Sequence, residues 1–131
     1  YLLTGCNSGL GLETLRVLGL RGGHVIAAAR TEAKARQAGA AAGVSELTPV
    51  ACELSAPASV RACVAEVQRI GRPLDAIICN AGIMALPERE LLYGMEKQFV
   101  VNHLGHFILI NQLMDEVRFR KGGAEIWMRK G

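Results

Sequence analysis

The stretch Leu3-Thr4-Gly5-Cys6-Asn7-Ser8-Gly9-Leu10-Gly11-Leu12 constrains the fold more than any other part of the chain. In it, apolar residues run into a glycine-rich turn and then straight into a helical pattern. Glycines in the order G-x-x-x-G-x-G let the backbone turn sharply, clear side chains from where a pyrophosphate would approach, and let the helix pack closely on the preceding strand. The helix then offers its unpaired N–H groups and the positive end of its dipole to the same place. Taken alone the motif fits a tight turn as well as a phosphate cradle, so the rest of the chain decides between them.

Leu10 to Arg21 carries Leu12, Leu15, Val17 and Leu18 on a helical stripe, closed by Gly22-Gly23. His24 to Ala29 is a continuous apolar run, as a parallel sheet covered on both faces requires. Thr31 caps an alanine-rich helix reaching about Ala42, with Ala38 to Gly43 compositionally soft. Leu47 to Cys52 reads as a third strand, and Pro49 predicts an edge position for it. Ser55 caps a helix bearing Val60, Cys63, Val64 and Val67, which Gly71-Arg72-Pro73 ends, and Leu74 to Cys79 is a fourth strand. From Leu91 a long helix is expected, with Phe99, His103, Phe107, Ile110, Met114 and Val117 on one face. Gly123 to Met128 follows as a fifth strand. Strands alternating with helices imply right-handed crossovers and a doubly wound parallel α/β sheet. Its ligand crevice belongs at the carboxyl ends of the first and fourth strands, where strand order reverses. The glycine turn and Asn80-Ala81-Gly82 occupy those two ends.

Thr4 to Gly11 resembles the T-G-x-x-x-G-x-G cofactor turn of the short-chain dehydrogenase/reductase family, and three further segments match in order. Cys79-Asn80-Ala81-Gly82 resembles the family's N-N-A-G with Cys for the first Asn, and Glu53-Leu54 its D-L pair with Glu for Asp. Val101 to Phe107 resembles its helix segment with the active-site Asn. The likeness covers Leu2 to about Val117 and is nearest to the retinol-dehydrogenase-like branch. It implies a Rossmann-type doubly wound sheet, truncated here. Tyr1 stands where Met would begin a chain, and Gly131 ends it where the family continues. Residues 1–131 then read as the N-terminal part of one NAD(P)-binding domain, without the C-terminal catalytic portion.

The resemblance assigns cofactor binding to Gly5, Asn7, Ser8, Gly9, Leu10, Gly11, Glu53, Leu54, Asn80, Ala81 and Gly82. Glu53 would bond the adenine and Leu54 wall the ring. Arg30, at the end of the second strand, selects the cofactor. An acidic residue there would accept the ribose hydroxyls of NAD, whereas a cation suits the 2′-phosphate of NADP, which Arg grips with a planar fork. Lys34 and Arg36 add positive field, so NADP is expected before NAD. Asn102 takes the family's role of holding a water in a proton relay. The implied activity interconverts an alcohol and a carbonyl of a small molecule. The alternative is a non-catalytic nucleotide-binding remnant that senses redox state or binds a partner.

Tyr93-Gly94-Met95-Glu96-Lys97 spells the family's catalytic Y-x-x-x-K but precedes Asn102, out of motif order. It therefore reads as the start of the long helix, with Lys97 solvated and this chain alone inactive. The serine expected after the fifth strand is replaced by Arg129-Lys130-Gly131. His103 and His106 stand three apart without a third ligand, so they read as packing or surface histidines and no metal is expected. Gly105 permits close helix packing. Cys6, Cys52, Cys63 and Cys79 lack metal-like spacing and read as buried thiols of a reducing, cytoplasmic compartment. Net charge is only +3, and the basic end has no aromatic platform, which excludes a nucleic-acid reader. No apolar run reaches the roughly 18 residues of a membrane span. An uncovered sheet edge leaves homo-oligomerisation open.

Overall fold

Leu2, Leu3 and Thr4 are almost wholly excluded from solvent, as befits a short strand at the centre of a sheet covered on both sides. The structure, a computed structural model, describes residues 1–117 and the backbone of Trp127–Met128. Along the chain β1 (Leu2–Thr4), α1 (Gly9–Leu20), β2 (Val25–Ala29), α2 (Glu32–Ala42), β3 (Leu47–Ala51), α3 (Pro57–Ile70) and β4 (Ile77–Cys79) alternate. Next come β5 (Leu91–Leu92), β6 (Met95–Glu96), α4 (Lys97–Phe99), a π-helical turn Val100–Leu104, α5 (Gly105–Leu113) and a 3-10 turn Met114–Glu116. The last described strand is β7 (Trp127–Met128).

The main sheet has the order β3-β2-β1-β4-β7 with every pairing parallel. Strand order thus reverses beside β1, and the chain forms the expected doubly wound α/β sheet. β3 lies at the edge, as Pro49 required. Alternation along the strands divides the core in two. Leu2, Ile26 and Ala28 face α3 and α5 with Val60, Val67, Leu109 and Leu113. Leu3, Val25, Ala27 and Ala29 face α1 and α2 with Leu15, Ala35 and Ala38. Each large aliphatic side chain so buried contributes about 1.5–3 kcal/mol. Gly105 lets α5 close on this core, since a Cβ there would lie 2.6 Å from the Leu54 carbonyl oxygen. Among the described residues no helix is long and apolar enough to cross a membrane.

Several expected boundaries move, each for a local reason. α3 is capped by Ala56 without a side-chain bond, not by Ser55, because Pro57 presets the first helical φ and needs no N–H acceptor. Ser55 instead donates to Glu53 Oε1 at 2.8 Å. Leu74 forms a bridge with Val117 rather than extending β4. The soft region is a packed helix, with Ala38 and Gly39 buried and an added Cβ at Gly39 running into the end of the Leu47 side chain. The fifth strand is described only at Trp127–Met128, where it pairs with β4, and the rest of that basic end lies outside the described residues.

The largest departure is at Leu91 to Glu96, which forms a hairpin, not the start of a helix. Its two-residue loop, Tyr93-Gly94, has φ +53 and φ +75, the signature of a type I′ turn. Glu96 then caps the helix by accepting from the Gln98 and Phe99 N–H groups, both at 2.9 Å. Lys97 is not simply solvated, because its Nζ pairs with Glu90 at 2.6 Å. Phe99, His103 and Phe107 do share a face and stack in a row, with both phenyl rings about half exposed.

A left-handed backbone costs a side chain like tyrosine about 1–2 kcal/mol. Tyr93→Asn, which installs the preferred Asn-Gly turn, should therefore raise stability by about 0.5–1 kcal/mol in urea unfolding. A loss of stability would mean that the tyrosine ring makes a contact worth more than the strain.

Candidate functional site

The site begins where β1 meets α1. No side chain caps α1 at Ser8, so the N–H groups of its first turn have no intrahelical acceptor and open on the carboxyl end of the sheet. The two helix-side glycines serve different ends. Gly9 has φ +52 and nothing within 4 Å of an added Cβ, so it is needed for its backbone conformation and leaves open space above the turn. Gly11 has no room at all, since a Cβ would overlap the Gly5 carbonyl oxygen and lie 2.5 Å from Asn80 Nδ2.

Asn80 ties this turn to the end of β4. Its Nδ2 donates to the carbonyl oxygens of Thr4 and Gly5, each at 3.2 Å. In return the buried Thr4 Oγ1 accepts from the N–H groups of Asn80 and Ala81, each at 3.1 Å. The same hydroxyl lies 2.8 Å from Nε2 of the buried His106, whose Nδ1 is 3.2 Å from the Asn102 carbonyl oxygen. Asn102, in the π-helical turn, bonds the Ile83 peptide at both ends: its Oδ1 accepts from Ile83 N–H at 2.8 Å and its Nδ2 donates to Ile83 O at 2.7 Å.

A cleft of about 670 Å³ opens over these groups. Gly5, Asn7, Ser8, Gly9, Leu10 and Gly11 line it from the turn, and Arg30 from the end of β2. Glu53 and Leu54 line it after β3, and Asn80, Ala81 and Gly82 after β4. Four loops, far apart in sequence, thus bring the expected cofactor residues to one place. Asn102 is exposed and not among the lining residues, and it holds Ile83, which is one of them. A second hollow of about 450 Å³, lined by Tyr1, His24, Arg72 and Asp75 among others, lies at the amino ends of the strands and contains none of them.

The surroundings of the individual residues differ. Arg30 is exposed, and among the described residues no carboxylate pairs with it, whereas Arg36 is engaged with Glu32 at 2.5 Å. The Glu53 carboxylate is held by the Ser55 N–H and hydroxyl, and its N–H donates to Ser59 Oγ at 2.9 Å. Burial pushes the Cys79 thiol up to about 12, so it stays neutral and packs as an apolar group. All four cysteines are buried and free. His103 and His106 separate, one exposed in the aromatic row and one in the core, and among the described residues no metal-binding cluster occurs.

Sequence reasoning passed over three participants. Thr4 is the one polar residue of an apolar strand, and His106 falls on the buried stripe with Leu109 and Leu113; both signals were readable. Lys97, beside its ion pair, also lines the cleft, and nothing in its spacing foretold that.

The two glycines should respond differently to alanine. Gly11→Ala forces backbone apart and should cost about 1–3 kcal/mol or more in chemical unfolding. Gly9→Ala carries only the left-handed strain of about 1–2 kcal/mol while obstructing the cleft, so its larger effect should be on nucleotide binding. Equal stability of Gly11→Ala and wild type would contradict the close approach.

The geometry has counterparts in known proteins. A family model described as short chain dehydrogenase matches residues 1–127. The chloroplastic short-chain dehydrogenase TIC 32 B of Brassica napus is 39% identical over 132 residues, covering 95% of this chain and 41% of that protein. The chain therefore spans less than half the length of that relative. A metagenomic short-chain oxidoreductase solved with NADP superposes with a TM-score of 0.71 at 27% identity, over 88% of this chain and 54% of that one. A 3-ketoacyl-(acyl-carrier-protein) reductase from Brucella melitensis, solved with NADH, gives a TM-score of 0.71 at 25% identity over 88% of this chain and 48% of its own. With a glycine turn opening on such a cleft and a family match running through nearly the whole sequence, the chain belongs to the short-chain dehydrogenase family.

Proposed function

We propose that this chain is the dinucleotide-binding half of an NADP-dependent oxidoreductase that interconverts an alcohol and a carbonyl. The reading is carried by the convergence of four loops on one cleft at the open N-terminus of α1. The cleft's volume lies within the range of cofactor sites, and its polar groups are mostly backbone. When bound, the nicotinamide dinucleotide supplies or accepts the hydride.

The chain's own residues bind and orient. The first-turn N–H groups of α1, with Asn7 and Ser8, cradle the pyrophosphate, and Gly9 leaves space for it. Glu53 is already bonded to Ser55, so adenine recognition falls to the backbone beside it, with Leu54 as a wall. The backbone of Asn80, Ala81 and Gly82 supports the middle of the cofactor. Asn102 is assigned the water-holding role in a proton relay on the strength of the family resemblance. The buried thiols suit work in a reducing compartment such as the cytoplasm.

NADP is favoured over NAD because Arg30 stands exposed at the mouth of the cleft with no carboxylate beside it among the described residues. Its fork to a 2′-phosphate is a charge-assisted contact worth about 1.5–3 kcal/mol. Arg30→Asp should therefore weaken NADPH binding about ten- to a hundredfold and improve NADH relative to it. Parallel titrations of both cofactors decide, and an unchanged NADPH/NADH ratio removes Arg30 as the selector.

Tyr93 sits in the hairpin turn, and Lys97 is paired with Glu90. The two do not form the helical pair that the family's chemistry uses. This chain alone should show no turnover of alcohols or carbonyls. Turnover that disappears in Tyr93→Phe would instead make Tyr93 the acid.

A further inference from the structure

The segment Asn80–Ile83, which lines the cleft after β4, is held at both ends by groups that lead to one imidazole. At its start the Asn80 and Ala81 N–H groups donate to Thr4 Oγ1, which His106 Nε2 approaches at 2.8 Å. At its end the Ile83 peptide is bonded by the Asn102 side chain, whose own carbonyl oxygen lies 3.2 Å from His106 Nδ1.

Counting protons fixes the tautomer. A threonine hydroxyl has one hydrogen and two lone pairs. Both lone pairs of Thr4 are taken by the two amides, so its hydrogen must go outward. His106 Nε2 at 2.8 Å is the near acceptor, and the Ile78 carbonyl oxygen at 3.5 Å is marginal. Nε2 therefore accepts, and the ring's hydrogen sits on Nδ1, where it donates to the Asn102 carbonyl. A second ring proton on Nε2 would confront Thr4 Oγ1 with three donors for two lone pairs and leave its own hydrogen only the distant Ile78 oxygen.

We propose that His106, as the neutral Nδ1–H imidazole, is a positioning residue that holds Asn80–Ile83 against the nucleotide-binding turn, and that protonating it loosens the site. The proposal rests on the dinucleotide-binding reading above only for its effect on affinity. The titratable groups around His106 do not substitute for its switch. From the end of β4 comes the Cys79 thiol, which burial holds protonated; Cys6, in the turn after β1, belongs to the core on the opposite face of the sheet. From α3, which packs along α5, the buried titratable group is the Cys63 thiol, held protonated by its bond to Cys52 and by burial. On the outer side of α3, Arg61 is exposed and Glu66 pairs with Arg69. His103 lies on the exposed side of the π-helical turn.

Burial lowers the His106 pKa from the usual 6.5, and the bond to Asn102 opposes this only in part. The unfolded chain therefore takes the proton more readily. Stability from this group is complete above pH 6.5 and is lost as pH falls through the folded value.

The test uses the full chain and has two arms. In the first, NADPH affinity is measured from about pH 8 to about pH 5 for wild type and for His106→Gln, whose amide oxygen accepts from Thr4 but cannot titrate. Because the 2′-phosphate also titrates near about pH 6, the comparison is between proteins at each pH. Wild type should lose at least about fivefold more affinity than the variant. Parallel loss overturns the proposal. In the second arm, nitrogen-15 NMR of the wild type reads the imidazole tautomer and the amides of Asn80, Ala81 and Ile83. An Nδ1–H tautomer, with the three amides moving at the His106 midpoint, supports the proposal; an Nε2–H tautomer or amides that stay still overturns it. This arm needs no nucleotide and no variant. Wild type that fails to bind NADPH even at high pH would sink the dinucleotide reading while the amides still decide the role of His106, and so they do if His106→Gln does not fold.

Discussion

The cleft depends on one hydroxyl. Thr4 Oγ1 accepts two backbone N–H groups from the start of the β4 loop, and Asn80 returns two bonds to the carbonyls of the β1 turn. A parallel pair of strands leaves its loops free to splay, because the ladder ends where the strands end. Here β1 and β4 pair at only Leu2 and Leu3, and the reciprocal bonds extend that pairing by side chains beyond the ladder. Since the hydroxyl is buried, losing either partner would leave a polar group unsatisfied at a cost of about 1–3 kcal/mol. The loops are therefore fixed relative to each other before any ligand arrives.

What was legible in the sequence is what local chemistry dictates. The glycine turn, the apolar run of β2, Thr31 as a cap and Pro49 at an edge each follow from the residue itself, and each is where it was expected. The errors arose where a tertiary or lower-ranked local signal won. Apolar spacing suggested a helix from Leu91, yet Tyr93-Gly94 supplied a turn and Glu96 a cap that start the helix six residues later at Lys97. The π-helical turn has no sequence signature, because one extra residue per turn is stabilised by what it packs against. The bonds of Asn102 to Ile83 and of His106 to Thr4 link residues 19 and 102 positions apart, and no periodicity reports a pair at such separation.

Small residues set how closely the layers approach. Ala27, Ala28 and Ala29 keep β2 thin, so the turn can lie on it with the Gly5 N–H bonded to Ala28 O at 3.0 Å. On the other face Gly105 brings α5 onto Leu54, which in turn fixes the cleft wall that Leu54 provides. Gly39 does the same for α2 against Leu47. A composition rich in Gly and Ala, which read as softness, is the means by which helices sit near enough for backbone groups to define the site.

The site separates rigidity from selectivity. Groups that hold its shape are buried or half-buried: Thr4, Asn80 and His106 are bonded to one another and Gly11 packs against Asn80, so a change at any of them is felt as stability. Arg30 is exposed and unsupported by a carboxylate among the described residues, so its charge is felt only by what enters the cleft. Exposed charges contribute little to folding, and their field is screened within about 10 Å at moderate salt. The charge at this one surface position can thus change while the cradle stays intact. By the same logic a substitution in the cradle changes the shape of the whole cleft, and on the proposed reading it would alter binding of every dinucleotide together.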